Sequence, residues 1–171
     1  MESNLSSPRL GIDIGRVIIA PDGADGSDTS FIGGSLADAL STPPYEGMFE
    51  YVPALVDRFQ GRVWLVSKAG TRVQEKTLQW LAHHRFHART GISEANVRFC
   101  KHRPEKADHC RDLGITHFID DREDVLQHLD GLVAHRFLFG PRRAGARDPS
   151  LRLVRTWTAA SREVLATLNC S

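Results

Sequence analysis

Short apolar runs alternate with longer stretches in which apolar residues recur every three or four positions. Leu10–Ile14 and Val63–Val66 read as buried strands, and Val97–Cys100, Thr116–Ile119 and His135–Phe139 read as three more. Between them, Phe49, Val52, Leu55, Val56 and Phe59 predict an amphipathic helix over 45–60. Val73, Leu78, Leu81 and Phe86 predict a longer one over 71–90, closed by Gly91. A helix entered at Pro104 runs to about Leu113, a short one covers 123–129, and Leu151, Val154, Trp157, Val164 and Leu168 set out a last one over 151–168. Val17–Ala20 forms a further short extended piece, and 31–40 has room for a turn or two of helix. Strands and helices alternating at these lengths predict an α/β three-layer sandwich. Its mostly parallel, five-stranded sheet carries helices on both faces.

Composition narrows this picture without changing it. The 171 residues suit one domain over 10–171 after a loose lead-in at 1–9, and such a domain buries a core without staples. Basic and acidic residues number 22 and 21, so net charge points neither to nucleic acid nor to an anionic membrane. Three cysteines without a CxxC pair, a polar N-terminus and the lack of a long apolar run lead us to expect a cytoplasmic protein.

Candidate chemistry lies at the strand ends. Asp13 ends the first strand, Ser67 the second and Asp120-Asp121 the fourth, and in a parallel sheet all these ends share one edge. Lys106, near the start of the helix before the fourth strand, falls on the same edge. Clustered carboxylates repel each other and any phosphate unless a hard cation lies between them. Mg²⁺ suits such an all-oxygen site. An Asp13 oxygen then serves as nucleophile toward phosphorus. Ser67, Lys68 and the N–H groups that follow hold the other phosphate oxygens, and Lys106 offsets the shared charge. Each group also has a plainer use. Ser67 caps a helix, Asp120-Asp121 cap the next one, and Lys106 is a solvated helix residue.

The ordered series of Asp13, Ser67, Lys106 and Ile119-Asp120-Asp121, spread over residues 10–140, resembles the motifs of the haloacid dehalogenase (HAD) superfamily. The resemblance implies a Rossmann-like sheet, Mg²⁺ held by Asp13, the Gly15 carbonyl, Asp120 and Asp121, and most often phosphatase activity. It makes residues 16–45 the counterpart of the family's flap. The link between Ser67 and the third strand is too short for a cap domain, and the open site of a capless member favours large substrates or partners that close it. The expected partner is a phosphorylated small molecule or macromolecule.

One position departs from the pattern. The family's phosphatases carry a second aspartate two residues after the nucleophile, as acid and base for the leaving group, and here that position is Gly15. Losing such a group lowers rates by about 10²–10⁴. Two alternatives follow: Asp22, Asp25 or Asp28 substitutes from the loop, or the chain is a weak or inactive relative that binds Mg²⁺ and a phosphorylated ligand. The turn-rich stretch at 21–28 lacks the closing Glu of a Ca²⁺ loop. His83 and His87, four apart, lack a third metal ligand. Trp64, Trp80 and Trp157 read as packing residues, and the arginine-rich loop at 142–149 reads as solvated.

Overall fold

The computed structural model describes residues 7–21, 31, 33–141 and 148–170. Its elements in chain order are β1 (Leu10–Ile12), α1 (Leu36–Ser41), α2 (Met48–Arg58), β2 (Val63–Lys68), α3 (Thr71–His83), α4 (Phe86–Thr90), β3 (Val97–Cys100), α5 (Glu105–Leu113), β4 (His117–Asp120), α6 (Glu123–His128), β5 (His135–Phe139), β6 (Arg152–Val154) and α7 (Trp157–Leu168). The sheet has six strands in the order β3-β2-β1-β4-β5-β6. Every pairing is parallel. The central strands are buried on both faces, as helices on the two sides of a parallel sheet require.

Side chains alternate across the sheet and divide the core in two. Leu10, Ile12, Val63, Leu65 and Ile119 face one layer, with Met48, Val52 and Leu55 of α2, Trp80 of α3 and Trp157 and Val164 of α7. Trp64, Val66 and Phe118 face the other, with Cys110 of α5 and Leu126 of α6. The same alternation sends Gly11 and Asp13 of one chain segment, and Phe118 and Asp120 of β4, toward the α5 layer.

Three expectations are corrected. The sheet has six strands instead of five, because Arg152–Val154 pairs with β5 and the last helix begins only at Trp157. Leu151, Val154 and Trp157 do become buried, but Val154 does so from a three-residue edge strand and Leu151 from the bend just before it, and the Thr156 hydroxyl caps the helix by accepting from the Ala159 N–H. The helix over 71–90 is two helices, broken where Arg85 adopts a left-handed φ of 53°. The break buries Phe86 and Thr90, while Leu78 stays exposed and Trp80 takes the core position. Residues 14–19 form a tight turn instead of an extended piece: the Ile14 carbonyl accepts from the Val17, Ile18 and Ile19 N–H groups. Its apolar residues Ile14, Val17, Ile18 and Ile19 are buried, and the turn is tied down. The Trp157 indole donates to the Val17 carbonyl at 2.9 Å, and the Tyr45 N–H donates to the Ile18 carbonyl. The aspartates at 22, 25 and 28 and most of the basic loop at 142–149 lie outside the described residues.

Candidate active site

The carboxyl edge of the sheet brings the predicted groups together. Registers Ile12–Leu65 and Ile12–Ile119 put Asp13 level with Asp120, one position short of Ser67. The Asp13 N–H continues the ladder by donating to the Ile119 carbonyl at 2.9 Å. Lys106, in the first turn of α5, reaches across and donates to Asp13 Oδ1 at 2.9 Å and to Asp120 Oδ2 at 2.7 Å. All three side chains are buried, Asp120 completely.

The aim of Lys106 has a local cause. Its Nζ stands over the Phe118 ring, 5.8 Å from the ring centre. That ring lies against the backbone of Gly11, where a Cβ would come within 2.5 Å of Phe118 Cδ2. A glycine in β1 therefore makes room for the floor on which the lysine rests. At the head of α5, the Glu105 carboxylate accepts from the Lys101 and His102 N–H groups and fixes the loop that delivers Lys106.

Charge in the cluster is unbalanced. Asp13, Asp120 and Asp121 place ligand oxygens within 4.8 Å of one another, with the Lys106 ammonium on Asp13 and Asp120 and the charge of Arg16 acting on Asp121. Burial raises the pKa of Asp120, and the Asp13 carboxylate adds to this, while Lys106 acts the other way. Asp121 is raised by burial, then by Asp13 and Asp120, and it hydrogen-bonds to Asp13. Burial alone disfavours the Lys106 ammonium, but the two carboxylates outweigh it and hold the proton firmly. Three hard oxygen donors with a deficit of positive charge match a small divalent cation. No described backbone N–H donates to the Gly15 carbonyl.

Beside the carboxylates opens a cavity of about 210 Å³. Gly15, Ser67 and Lys68 lie on its polar side, and Ile14, Ile19 and Val73 on its apolar side. The Ser67 side chain is buried at the end of β2, and Lys68 beside it is exposed. Gly70 precedes the first turn of α3, so the positive end of a 13-residue helix opens here. One of the expected N–H donors is already used, because Ala69 donates to the Cys100 carbonyl at 2.9 Å. Phe31 and Thr77 also line the cavity and were not singled out in the sequence. Thr77 was discoverable, four residues after Val73 on one helix face. Phe31 carried no signal.

The other candidates stay apart. His83 ends α3 and His87 sits in α4 across the Arg85 break, with His87 Nδ1 2.8 Å from the Ile92 carbonyl. Trp80 and Trp157 are fully buried packing residues. Among the described residues, the aspartate trio is the one cluster suited to a metal ion. No described helix is long and apolar enough to cross a membrane.

No protein-family model matches the sequence, and no curated protein matches it. Among solved structures, the chain is similar to a haloacid dehalogenase-like family hydrolase from Xanthomonas campestris. The TM-score is 0.59 at 15% identity, over 94% of this chain and 96% of that one. The chain therefore has the Rossmann-like α/β fold of haloacid dehalogenase-like proteins.

Proposed function

We propose that the chain is a Mg²⁺-dependent phosphate-ester hydrolase that works through Asp13. One observation carries this reading: a lysine 2.7–2.9 Å from two buried carboxylates, with a third beside them, at the ligand-binding edge of a parallel sheet. Such an arrangement is costly for stability alone, since buried ion clusters seldom outperform apolar packing.

Asp13, Asp120, Asp121 and the Gly15 carbonyl are the groups to hold the cation, which when bound neutralises phosphate charge. Asp13 attacks phosphorus and carries the phosphoryl group as an aspartyl-phosphate. Lys106 donates to Asp13 and holds it in place. Ser67, Lys68 and the head of α3 receive the phosphate oxygens that do not react. The resemblance to the Xanthomonas hydrolase supports the hydrolase class. We place the protein in the cytoplasm, acting on a phosphorylated small molecule or macromolecule.

Gly15 favours a second reading, a protein that binds Mg²⁺ and a phosphorylated ligand with little or no turnover. A panel of phosphate esters with Mg²⁺, run on the unsubstituted chain and on Asp13→Asn, decides between them. Hydrolysis that falls by at least about 10⁴-fold on substitution supports the enzyme. Thermal stabilisation by Mg²⁺ and inorganic phosphate without hydrolysis supports the binder. Neither effect overturns both.

A further inference from the structure

One side of α3 forms a wall of the cavity. Gly70, just before its first turn, Val73 and Thr77 all line the space, and spacings of three and four residues put them on one face. At a rise of about 1.5 Å per residue, Thr77 lies about 10 Å along the axis from Gly70. Phe31 lines the cavity too, and α3 holds its backbone in place. Lys76 Nζ donates to the Phe31 carbonyl at 3.3 Å and to the Gly34 carbonyl at 2.7 Å.

Thr77 is only 4% exposed, yet no described residue shares a hydrogen bond with its hydroxyl. A buried helical threonine ordinarily turns this group back on its own backbone. Thr90 does so, donating to the Phe86 carbonyl at 2.9 Å, and Thr42 donates to the Asp38 carbonyl at 3.2 Å. Among the described residues no fully enclosed polar side-chain atom lacks a partner, so the Thr77 oxygen opens onto the cavity that its residue lines. An unmet hydroxyl at such depth weakens the fold and strengthens the binding of any ligand that meets it. The space suits an apolar body between the two ends. An apolar cavity of about 150 Å³ holds a benzene ring, and this one is about 210 Å³ with Ile14, Ile19, Phe31 and Val73 on its apolar side.

We propose that Thr77 is a specificity-determining residue that hydrogen-bonds a hydroxyl or carbonyl at the far end of the substrate. The ligand class is a phosphate monoester whose organic part is elongated and apolar, with a second polar group about 10 Å from the phosphate end. That part lies along α3 over Val73, against a Phe31 wall that Lys76 positions. The inference rests on the reading of Ser67, Lys68 and the head of α3 as the phosphate end.

The test is titration calorimetry with Mg²⁺ and three phosphonates, which resist hydrolysis: ethyl, hexyl, and hexyl with a terminal hydroxyl. Hexylphosphonate should bind about 10-fold or more tightly than ethylphosphonate. The terminal hydroxyl should add about 5-fold. Thr77→Val keeps the shape of the wall and should reverse the order of the two hexyl compounds. Lys76→Met should narrow the gap between hexyl and ethyl. Each readout is a ratio of two ligands on one variant, so a general loss of folded protein does not imitate it. Hexyl binding no better than ethyl, or a hydroxyl preference that survives Thr77→Val, overturns the inference. A gap untouched by Lys76→Met overturns the positioning of Phe31. No binding of any phosphonate or of inorganic phosphate overturns the phosphate end, and this inference with it. The expected ratios without hydrolysis in the ester panel overturn the hydrolase and leave Thr77 its role.

Discussion

Strand β4 is four residues long and buries an ionisable side chain at each end, His117 at its start and Asp120 at its finish. The two ends follow opposite rules. At the start, His117 Nε2 lies 2.8 Å from the Thr167 hydroxyl and Nδ1 2.7 Å from the Thr116 hydroxyl. The Thr167 hydroxyl donates to the Val164 carbonyl, so it accepts from Nε2–H. The Thr116 hydroxyl also lies 3.1 Å from the Arg9 carbonyl, but two backbone N–H groups already donate there, and its proton serves Nδ1 of a neutral imidazole. The ring stacks on His135 at 4.4 Å and meets Phe59 edge-on. At the finish, Asp13 and Asp120 share the Lys106 ammonium, and a third carboxylate, Asp121, stands beside them with Arg16 acting on it. Neutral and saturated polarity is how a fold fastens its layers. Charge left over is what a site keeps for a ligand.

The largest effect should come from removing the ammonium that Asp13 and Asp120 share. Lys106→Met leaves Asp13 and Asp120 buried without their partner, and breaking such a buried pair costs about 3–5 kcal/mol. Urea unfolding without metal measures it. An unchanged midpoint would mean that the carboxylates take on protons at no loss, and the contrast between the ends would disappear.

The saturated end should respond to acid. Burial first, then His135 and Arg152, push the His117 pKa down to about 3. In the unfolded chain the imidazole takes up its proton near about 6.5. Between these values the unfolded chain binds more protons, so stability is complete above about 6.5 and falls as the pH drops toward 3. Going from pH 7.5 to 5, His117 alone should remove about 2 kcal/mol. His135, lowered by burial and Arg152, acts in the same sense. Comparing the pH profile with that of His117→Gln isolates the first contribution, and identical profiles would place the ring in contact with water.

Much of this contrast is legible in the sequence, for a specific reason. A carboxylate closing an aliphatic run is conspicuous, and parallel strands bring their ends to one edge, so Asp13, Ser67, Lys106 and Asp120 can be assembled without coordinates. Features that depend on depth or on distant packing are not legible. Nothing in the sequence marks His117 as the neutral centre of a hydrogen-bonded stack. That Gly11 yields space to Phe118, and so aims Lys106, depends on which strand lies beside β1. The edge strand β6 is hidden because its three residues continue a helical spacing into α7. The Arg85 break is hidden because the reversal falls on an arginine, with no glycine or proline to mark it.

The smallest effect has the opposite sign and discriminates most sharply. Asp121 is half-buried, hydrogen-bonded to Asp13, and raised in pKa by burial and by Asp13 and Asp120. Its ionised form is a liability when no cation is present. Asp121→Asn keeps an N–H to donate to Asp13 and removes the charge. Without metal it should raise stability by about 1 kcal/mol, about 2–4 °C in melting temperature for a chain of this size. It should also abolish the stabilisation that Mg²⁺ gives the unsubstituted chain. A gain in stability coupled to loss of a ligand response marks a residue held at the fold's expense. A lower melting temperature would instead make Asp121 a structural partner like the threonines around His117, and both ends of β4 would then serve the fold.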